Sequence, residues 1–321
     1  MASREPQQPL CRPPLSAIAL ILLLAIVAAI GWSNTLHDRR LGGWHLSVIN
    51  GEAPAPDQYR LLTPMLAHTL YVFTDPGSSD EGLRNLRYAY LALHAVAFTV
   101  AGLFFVAFSR RWLSESASLL ACALLMAIAA IANLRGQIQV ADPMNLMFVT
   151  VGLWAIAHGR FWPLLVAIFL GALNRESILV LLGYFVLIQW PRPKRELASE
   201  ALVVTLAWGA AYGLVRGIYG MRPYSVEVVM LPYNLESAWR WAPPLLLMAP
   251  LLIAALQRPI AQWPPALTRA TLVIPPYLLL HLVIARLEEV RLFLPLLPVL
   301  IVLAVGSVAG APNEEATAHG R

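Results

Sequence analysis

Apolar runs, each long enough to cross or nearly cross a lipid bilayer, recur from one end of this sequence to the other. Of the 321 residues, 59% are hydrophobic and only 13% are charged, whereas about 25% of the residues in a typical soluble domain are charged. Too few polar residues remain to cover a soluble body of this size. The sequence therefore predicts an all-α, polytopic bundle of membrane helices.

About ten spans are predicted within a single transmembrane domain, residues 1–310, which a disordered cytoplasmic tail, residues 311–321, follows. The first apolar run is longer than a signal-peptide core and no A-x-A site follows it, so we interpret it as a retained anchor. A long outer loop, residues 33–87, comes next and contains an interfacial helix at residues 61–73, which is too short to span. The predicted spans are Leu15–Trp32, Tyr88–Phe108, Ser116–Asn133, Met144–Ala157, Trp162–Asn174, Ser177–Trp190, Ala201–Tyr219, Pro244–Gln257, Ala270–Leu287 and Leu292–Ala309.

The distribution of charge predicts how these spans are oriented in the membrane. With both termini in the cytoplasm, the cytoplasmic side holds 11 basic and 6 acidic residues and the outer side holds 12 of each. The whole net charge of +5 then lies inside, as the positive-inside tendency requires. This placement accounts for the basic character without a nucleic-acid partner, and it predicts a multi-pass protein of the cell (inner) membrane.

The topology depends on the polar turn Asn174-Arg175-Glu176. Fusing the two apolar runs that flank this turn would give one helix, residues 162–190, about 43 Å long, against a hydrocarbon core of about 30 Å. Fusion would also place Arg192, Lys194 and Arg195 outside. Two short spans joined by a tight turn are therefore predicted.

Unusual polar residues at the span ends all fall on the outer side in this topology. They are Asp57-Gln58-Tyr59-Arg60, Arg135 with Gln137 and Gln139, Asp142, Asn174-Arg175-Glu176, Arg286, and Glu288-Glu289-Val290-Arg291. Charge at a membrane boundary must be solvated, paired or functional, and clusters from distant helix ends make a composite pocket possible.

Each cluster also has a structural interpretation. Asp142 before Pro143 is typical of a helix start with an N-cap acceptor, and Arg60 could snorkel from the interfacial helix. The adjacent Arg175 and Glu176 do not share a helical face, so each is expected to have its own partner, in a functional site or in a structural ion-pair knot. Glu289 could balance an arginine, bind a divalent cation or end a solvated helix.

Three of these segments resemble bacterial multi-spanning glycosyltransferases of the GT-C type. They are Gln58-Tyr59-Arg60-Leu61-Leu62-Thr63-Pro64, Asn174-Arg175-Glu176-Ser177, and the run from Glu289 to Pro298, EVRLFLPLLP. The order of elements is also similar: an anchor, a long outer loop and then a helical bundle. The sequence contains no GxGxxG, Walker, HExxH or GxSxG motif, which would have indicated other common chemistries.

The resemblance implies that a sugar is transferred at the outer membrane surface from a polyprenyl-phosphate-linked donor, with no certain cofactor beyond that donor and an optional divalent cation. The acidic residues expected to be catalytic are Asp57, Asp38 and Glu176, and Asp38 or Asp57 is expected to be the general base. The residues expected to bind substrate are Tyr59, Arg60, Asn174, Arg175, Glu289 and Arg291. Membrane lipid and envelope-assembly proteins are the expected partners.

Two other functions are consistent with the same sequence. A transporter of lipids or small solutes would need ionisable residues near the bilayer midplane and an internal repeat. Only His94, His281 and Arg216 are suitably placed, and no repeat is evident. A non-enzymatic scaffold subunit would have charged turns that pair only with one another.

Overall fold

The computed structural model describes residues 14–37, 40–74, 79–133, 138–224 and 227–309, without the side chains of residues 34, 35 and 79–81. The secondary structure of these residues is helical, apart from one isolated bridge between Ala55 and Tyr224. The α-helices are α1 (Leu15–Ser33), α2 (Leu41–Ile49), α3 (Leu62–Val72), α4 (Ser79–Ser109), α5 (Glu115–Ile131), α6 (Asp142–Ala157), α7 (Phe161–Asn174), α8 (Val180–Ile188), α9 (Lys194–Tyr219), α10 (Leu231–Glu236), α11 (Ala242–Leu256), α12 (Pro265–Ala270), α13 (Ile274–Ile284) and α14 (Leu297–Ala309).

Within the described part of the chain, five helices are long and apolar enough to cross a membrane. They are Leu15–Ser33, Gly82–Ser109, Lys194–Tyr219, Pro265–Ile284 and Val290–Ala309. Five shorter apolar helices of 10–17 residues accompany them: Glu115–Ile131, Asp142–Ala157, Phe161–Asn174, Glu176–Ile188 and Ala242–Leu256. The chain is therefore a helical membrane protein with several membrane-crossing segments, as the sequence predicted.

The helices form a bundle with a buried centre and a lipid-accessible edge. Helix α6 packs against α4, α7 and α8, and α14 packs against α5 and α11. The span that contains α14 is 78% buried inside the protein, whereas the span α9 is only 17% buried. The apolar side chains of α9 thus face outward, where a bilayer would cover them.

A helix forms where the sequence predicted one in the long loop between the first two spans. Helix α3 buries Thr63, Pro64 and Ala67, which pack toward α4 and α7, and leaves Met65 and Phe73 exposed on its other side. The loop also contains α2, which the sequence analysis did not predict. Its residues Leu41 and His45 are buried, so this part of the loop is packed onto the bundle.

The chain breaks between α7 and the next helix at Arg175, whose backbone is extended with φ −164° and ψ 133°. A Cβ atom placed on Gly171 would lie 2.6 Å from Cγ1 of Ile178, although residues seven apart in a straight helix are separated by about 10 Å. The chain therefore folds back at Arg175, and the two apolar runs are separate helices as expected.

Some helices extend beyond the predicted span boundaries. Helix α4 begins at Ser79 rather than at Tyr88, and α9 begins at Lys194 rather than at Ala201. Hydropathy marks where a helix becomes polar, and a helix ends only where its backbone hydrogen bonds end.

Candidate functional site

The buried carboxylate of Asp142 lies at the centre of the site. Its Oδ2 accepts a hydrogen bond of 3.0 Å from Nη1 of Arg291, and its Oδ1 forms an ion pair with Arg175. Nη2 of Arg291 also donates to Glu289. The side chains of Arg175 and Arg291 are each 6% exposed and that of Asp142 is 2% exposed. Three segments that are distant in sequence therefore meet at one buried carboxylate.

Local backbone structure brings these side chains together. Asp142 lies in the first turn of α6, Arg175 occupies the extended break after α7, and Arg291 lies in the 3₁₀ helix Val290–Leu296 that precedes α14. The expectation that Asp142 caps a helix is wrong, because the N-cap is Ala141. Helix α6 does begin here with Pro143 in its first turn, and the Asp142 carboxylate instead bridges the two arginines.

Arg60 and Asp57 form the more exposed rim of this site. Asp57 begins a short 3₁₀ segment before α3, and Arg60 comes directly after the end of this segment. Arg60 Nη1 lies 3.9 Å from Asp57 Oδ1. The indole of Trp44 donates to Asp57 Oδ2 at 3.0 Å, and Arg60 donates to Gln139 Oε1 at 3.4 Å. The side chain of Asp57 is 28% exposed and that of Arg60 is 16% exposed, so water can reach the site from this side.

We call these six residues the arginine–carboxylate cluster: Arg60, Arg175, Arg291, Asp57, Asp142 and Glu289. The positive charge of Arg60 acts on both Arg175 and Arg291, while Asp57 attracts Arg291. Formal charges within the cluster balance, with three guanidinium groups against three carboxylates. Arg60, at the partly exposed rim, repels the two buried arginines behind it, and a guanidinium group in this position is suited to bind an anion such as a phosphate with paired hydrogen bonds.

Asn174 supports the cluster through buried hydrogen bonds. Its side chain is fully buried, accepts a hydrogen bond of 2.6 Å from the Thr63 hydroxyl and donates to the carbonyl of Ala141 at 2.8 Å. The backbone N–H of Leu61 also donates to the carbonyl of Leu173 at 3.0 Å. These bonds fix the start of α3 and the start of α6 against the end of α7. Asn174 therefore positions the cluster, and no atom of it faces a free surface.

Glu176 and Tyr59 belong to a neighbouring arrangement around Arg216. Glu176 lies 3.8 Å from Arg216, whose guanidinium stacks between the rings of Tyr59, at 4.1 Å, and Tyr212, at 3.3 Å. The Tyr59 hydroxyl donates to Gly220 and accepts from the N–H of Arg222. The adjacent Arg175 and Glu176 thus have different partners, as their positions predicted, and Tyr59 is engaged with backbone groups.

The neighbouring residues Glu288 and Glu289 also have different partners. Glu289 joins the cluster, whereas Glu288 accepts a hydrogen bond of 2.7 Å from the hydroxyl of Tyr233 in α10. The hydrogen bond to Glu288 raises the pKa of Tyr233. The Tyr233 ring also contacts Arg240 and Arg286. This second pairing ties the loop after α9 to the start of the last helix.

The structure brings together six of the residues that the sequence singled out, but not all of them. Asp38, one of the two expected bases, lies outside the described residues, as do Arg135 and Gln137, which were predicted to be on the outer side, and the tail at residues 311–321. Asp142, a member of the cluster, and Trp44, which is bonded to Asp57, were not among the predicted site residues. Position alone marked Asp142 as an acid at the predicted outer end of a span, but nothing local in the sequence indicates Trp44.

Two cavities among the described residues are lined entirely by residues outside the cluster. One is an apolar groove of about 340 Å³ between α1 and α4, lined by residues such as Ile26, Ile30, Tyr88 and Leu91. In the same part of the chain, no group of three or more His, Cys, Asp or Glu side chains is positioned to share a metal ion. The expected divalent cation therefore has no ligand set among these residues.

No protein-family model matches this chain, and no curated protein or solved structure is significantly similar to it.

Proposed function

We propose that this chain is an integral membrane glycosyltransferase similar to the GT-C type. It would transfer a sugar from a polyprenyl-phosphate donor to an envelope glycan or glycolipid on the outer face of the bacterial inner membrane. The observation that carries this proposal is that Arg175 and Arg291 meet at Asp142, with Arg60 close enough for its charge to act on both. Such a group supplies charge compensation for a leaving phosphate at a place where water is scarce.

The proposed topology has ten spans with both termini in the cytoplasm. The five long and five shorter apolar helices coincide with the ten segments predicted from the sequence. The longest of the shorter helices, Glu115–Ile131, has 17 residues and a length of about 26 Å, close to a hydrocarbon core of about 30 Å. Local thinning of the bilayer and polar residues at the helix ends accommodate the difference. Helix α3 would lie in the outer interface with Met65 and Phe73 toward lipid.

In this proposal Asp57 is the general base. It is the most exposed carboxylate of the cluster, and the Trp44 indole fixes its orientation. Asp57 removes the proton of the acceptor hydroxyl while the acceptor oxygen bonds to the anomeric carbon of the sugar. The bond between that carbon and the phosphate oxygen breaks, and the polyprenyl phosphate leaves with both electrons. Arg60 and Arg291 stabilise its charge, and Asp142 holds Arg175 and Arg291 in place.

One observation favours a second candidate, a non-enzymatic scaffold subunit. The three arginines of the cluster are matched by three carboxylates, and their charged groups contact one another. A buried network of this kind can hold distant helices in register without binding any ligand. In a scaffold, loss of Asp57 would have little effect on stability, since its side chain is partly exposed, and there would be no turnover to lose.

The two candidates are separated by assaying the purified protein for consumption of polyprenyl-phosphate-linked sugars. We expect turnover by the wild type, a loss of about 100-fold or more in Asp57→Asn, and a similar loss in Arg60→Ala. Arg195→Ala is the matched control, because Arg195 is exposed at the start of α9 and outside the cluster. A wild type that folds and consumes none of a panel of such donors would favour the scaffold. Activity retained in Asp57→Asn would overturn the assignment of the base.

A further inference from the structure

Two histidines of the first outer loop, a buried His45 and a half-buried His68, form a contact that the proposed reaction does not use. His45 of α2 is 1% exposed. Its Nε2 lies 3.2 Å from Nδ1 of His68 in α3, and its Nδ1 lies 2.8 Å from the hydroxyl of Tyr90 in α4. A single imidazole therefore joins three helices, two from the outer loop and one from the bundle.

The chemistry of this contact requires that the two histidines not be charged together. A hydrogen bond between two imidazole nitrogens needs one N–H donor and one free lone pair. When both rings are protonated, both facing nitrogens carry hydrogen, the bond is lost, and two positive charges repel each other across 3.2 Å. The contact between α2 and α3 is thus compatible with neutral or singly protonated histidines only.

No carboxylate in the described part of the chain is paired with either histidine to offset that repulsion. The groups that face His45 are His68 and Tyr71 from α3 and Tyr90 from α4, with His94 beyond Tyr90. The nearest carboxylate with a defined connection is Asp57, which is bonded to the neighbouring Trp44 and already paired with Arg60. Leu41, Ala67 and Leu86 form a buried apolar cluster together with Tyr90, to which His45 is bonded.

We propose that His45, His68 and Tyr90 form an acid-sensitive latch, which holds α2 and α3 on α4 at neutral pH and releases them when the outer face is acidified. Trp44 precedes His45 in α2 and donates to Asp57, so release of α2 also removes the indole from the rim of the arginine–carboxylate cluster. The latch would thereby regulate access to the cluster. This inference does not depend on the glycosyltransferase assignment, because the opening itself can be measured.

The direction of the pH effect follows from the burial of His45. Burial, together with the neighbouring His68, lowers the pKa of His45 from 6.5 to about 4 in the closed state. A histidine whose pKa is lower when closed stabilises the closed state above pH 6.5, and this stability is lost as the pH falls toward about 4. The opening equilibrium constant at pH 4.5 is therefore expected to exceed that at pH 7.5 by about one to two orders of magnitude.

Hydrogen–deuterium exchange of the full chain in lipid nanodiscs tests the latch. Exchange is measured from pH 7.5 to pH 4.5 and corrected for the intrinsic pH dependence with unstructured reference peptides. We expect the peptides that cover α2 and α3 to lose protection by one to two orders of magnitude below pH 6.5, while α6 and α14 keep theirs. His45→Gln should abolish this step, because glutamine does not titrate.

Two further variants complete the test. His68→Gln, whose amide can still bond to His45, should reduce the step and shift it to lower pH, and it serves if His45→Gln fails to fold. His158→Gln is the matched control, since His158 is a half-buried histidine at the end of α6 bonded to a backbone carbonyl, and its step should equal that of the wild type. Protection of α2 and α3 that stays constant down to pH 4.5 in the wild type, or a step that persists in both latch variants, would overturn the proposal.

Discussion

Replacement of Asp142 by asparagine tests the energetics of the cluster most directly. Asparagine has nearly the same shape, so the substitution removes the charge and creates little empty space. It leaves Arg175 and Arg291, each 6% exposed, without the carboxylate that lies between them. Breaking a buried ion pair by removing one partner is destabilising by about 3–5 kcal/mol. We therefore expect the free energy of unfolding of Asp142→Asn to be lower than that of the wild type by an amount in this range.

The assay is thermal unfolding in detergent, followed by intrinsic fluorescence. At about 2–4 °C per kcal/mol for domains of 150–250 residues, the expected decrease in Tm is roughly 6–20 °C, toward the lower end for a longer chain. Glu115→Gln is the control, because the Arg110–Glu115 pair has a similar N–O distance of 2.9 Å but its glutamate is 40% exposed. Exposed pairs contribute about 0–1 kcal/mol, so the control should differ little from the wild type.

A double variant separates charge from shape. Asp142→Asn combined with Arg175→Gln removes one positive charge along with the carboxylate and leaves Arg291 paired with Glu289. If unpaired charge causes the loss, the double variant should be more stable than Asp142→Asn alone. Equal losses in Asp142→Asn and Glu115→Gln would refute the reasoning, because the buried and exposed pairs would then be energetically alike.

Three further substitutions test how the site is held in place, each measured by the same thermal assay. Asn174→Ala should lose about 1–3 kcal/mol, since the Thr63 hydroxyl and the Ala141 carbonyl lose a buried partner, whereas Asn85→Ala should be nearly neutral, because the side chain of Asn85 makes only a long, exposed hydrogen bond of 3.5 Å to the Thr74 carbonyl. Gly171→Ala should lose about 1–3 kcal/mol, because its Cβ would lie 2.6 Å from a carbon of Ile178. Tyr59→Phe should lose about 1–3 kcal/mol with two hydrogen bonds to backbone groups.

Much of the helical layout could be predicted from the sequence. Hydropathy alone locates the apolar helices, because a bilayer requires continuous apolar segments whose backbone is satisfied internally. The break at Arg175 was also predictable, since a single helix over both runs would exceed the bilayer thickness. In contrast, α2 has nine residues and α10 has six, so both lie far below span length and a search for spans does not detect them. Their formation depends on packing against the bundle, as the burial of His45 and Asn234 shows.

The sequence predicted most of the residues that form the candidate site, but it did not predict which of them contact one another. Arg60, Arg175 and Arg291 stood out because arginines at span ends need partners, but which carboxylate each one meets depends on how the helices pack. Asp142 had an adequate local explanation as a helix start, and only the fold shows that it bridges arginines 33 and 149 residues away. Likewise, nothing near Trp44 in the sequence indicates a bond to Asp57.

The composition of the cluster has a consequence for how the chain is made. Synthesis and membrane insertion proceed from the N-terminus, so Arg291 arrives long after Asp142 and Arg175. Asp57 arrives with Arg60 three residues later, and Glu289 arrives two residues before Arg291. Asp142 and Arg175 lie on α6 and on the break after α7, which pack directly together. Two of the pairs thus enter the membrane already balanced, and the third, Asp142 with Arg175, becomes balanced once α7 has packed on α6, before Arg291 is made.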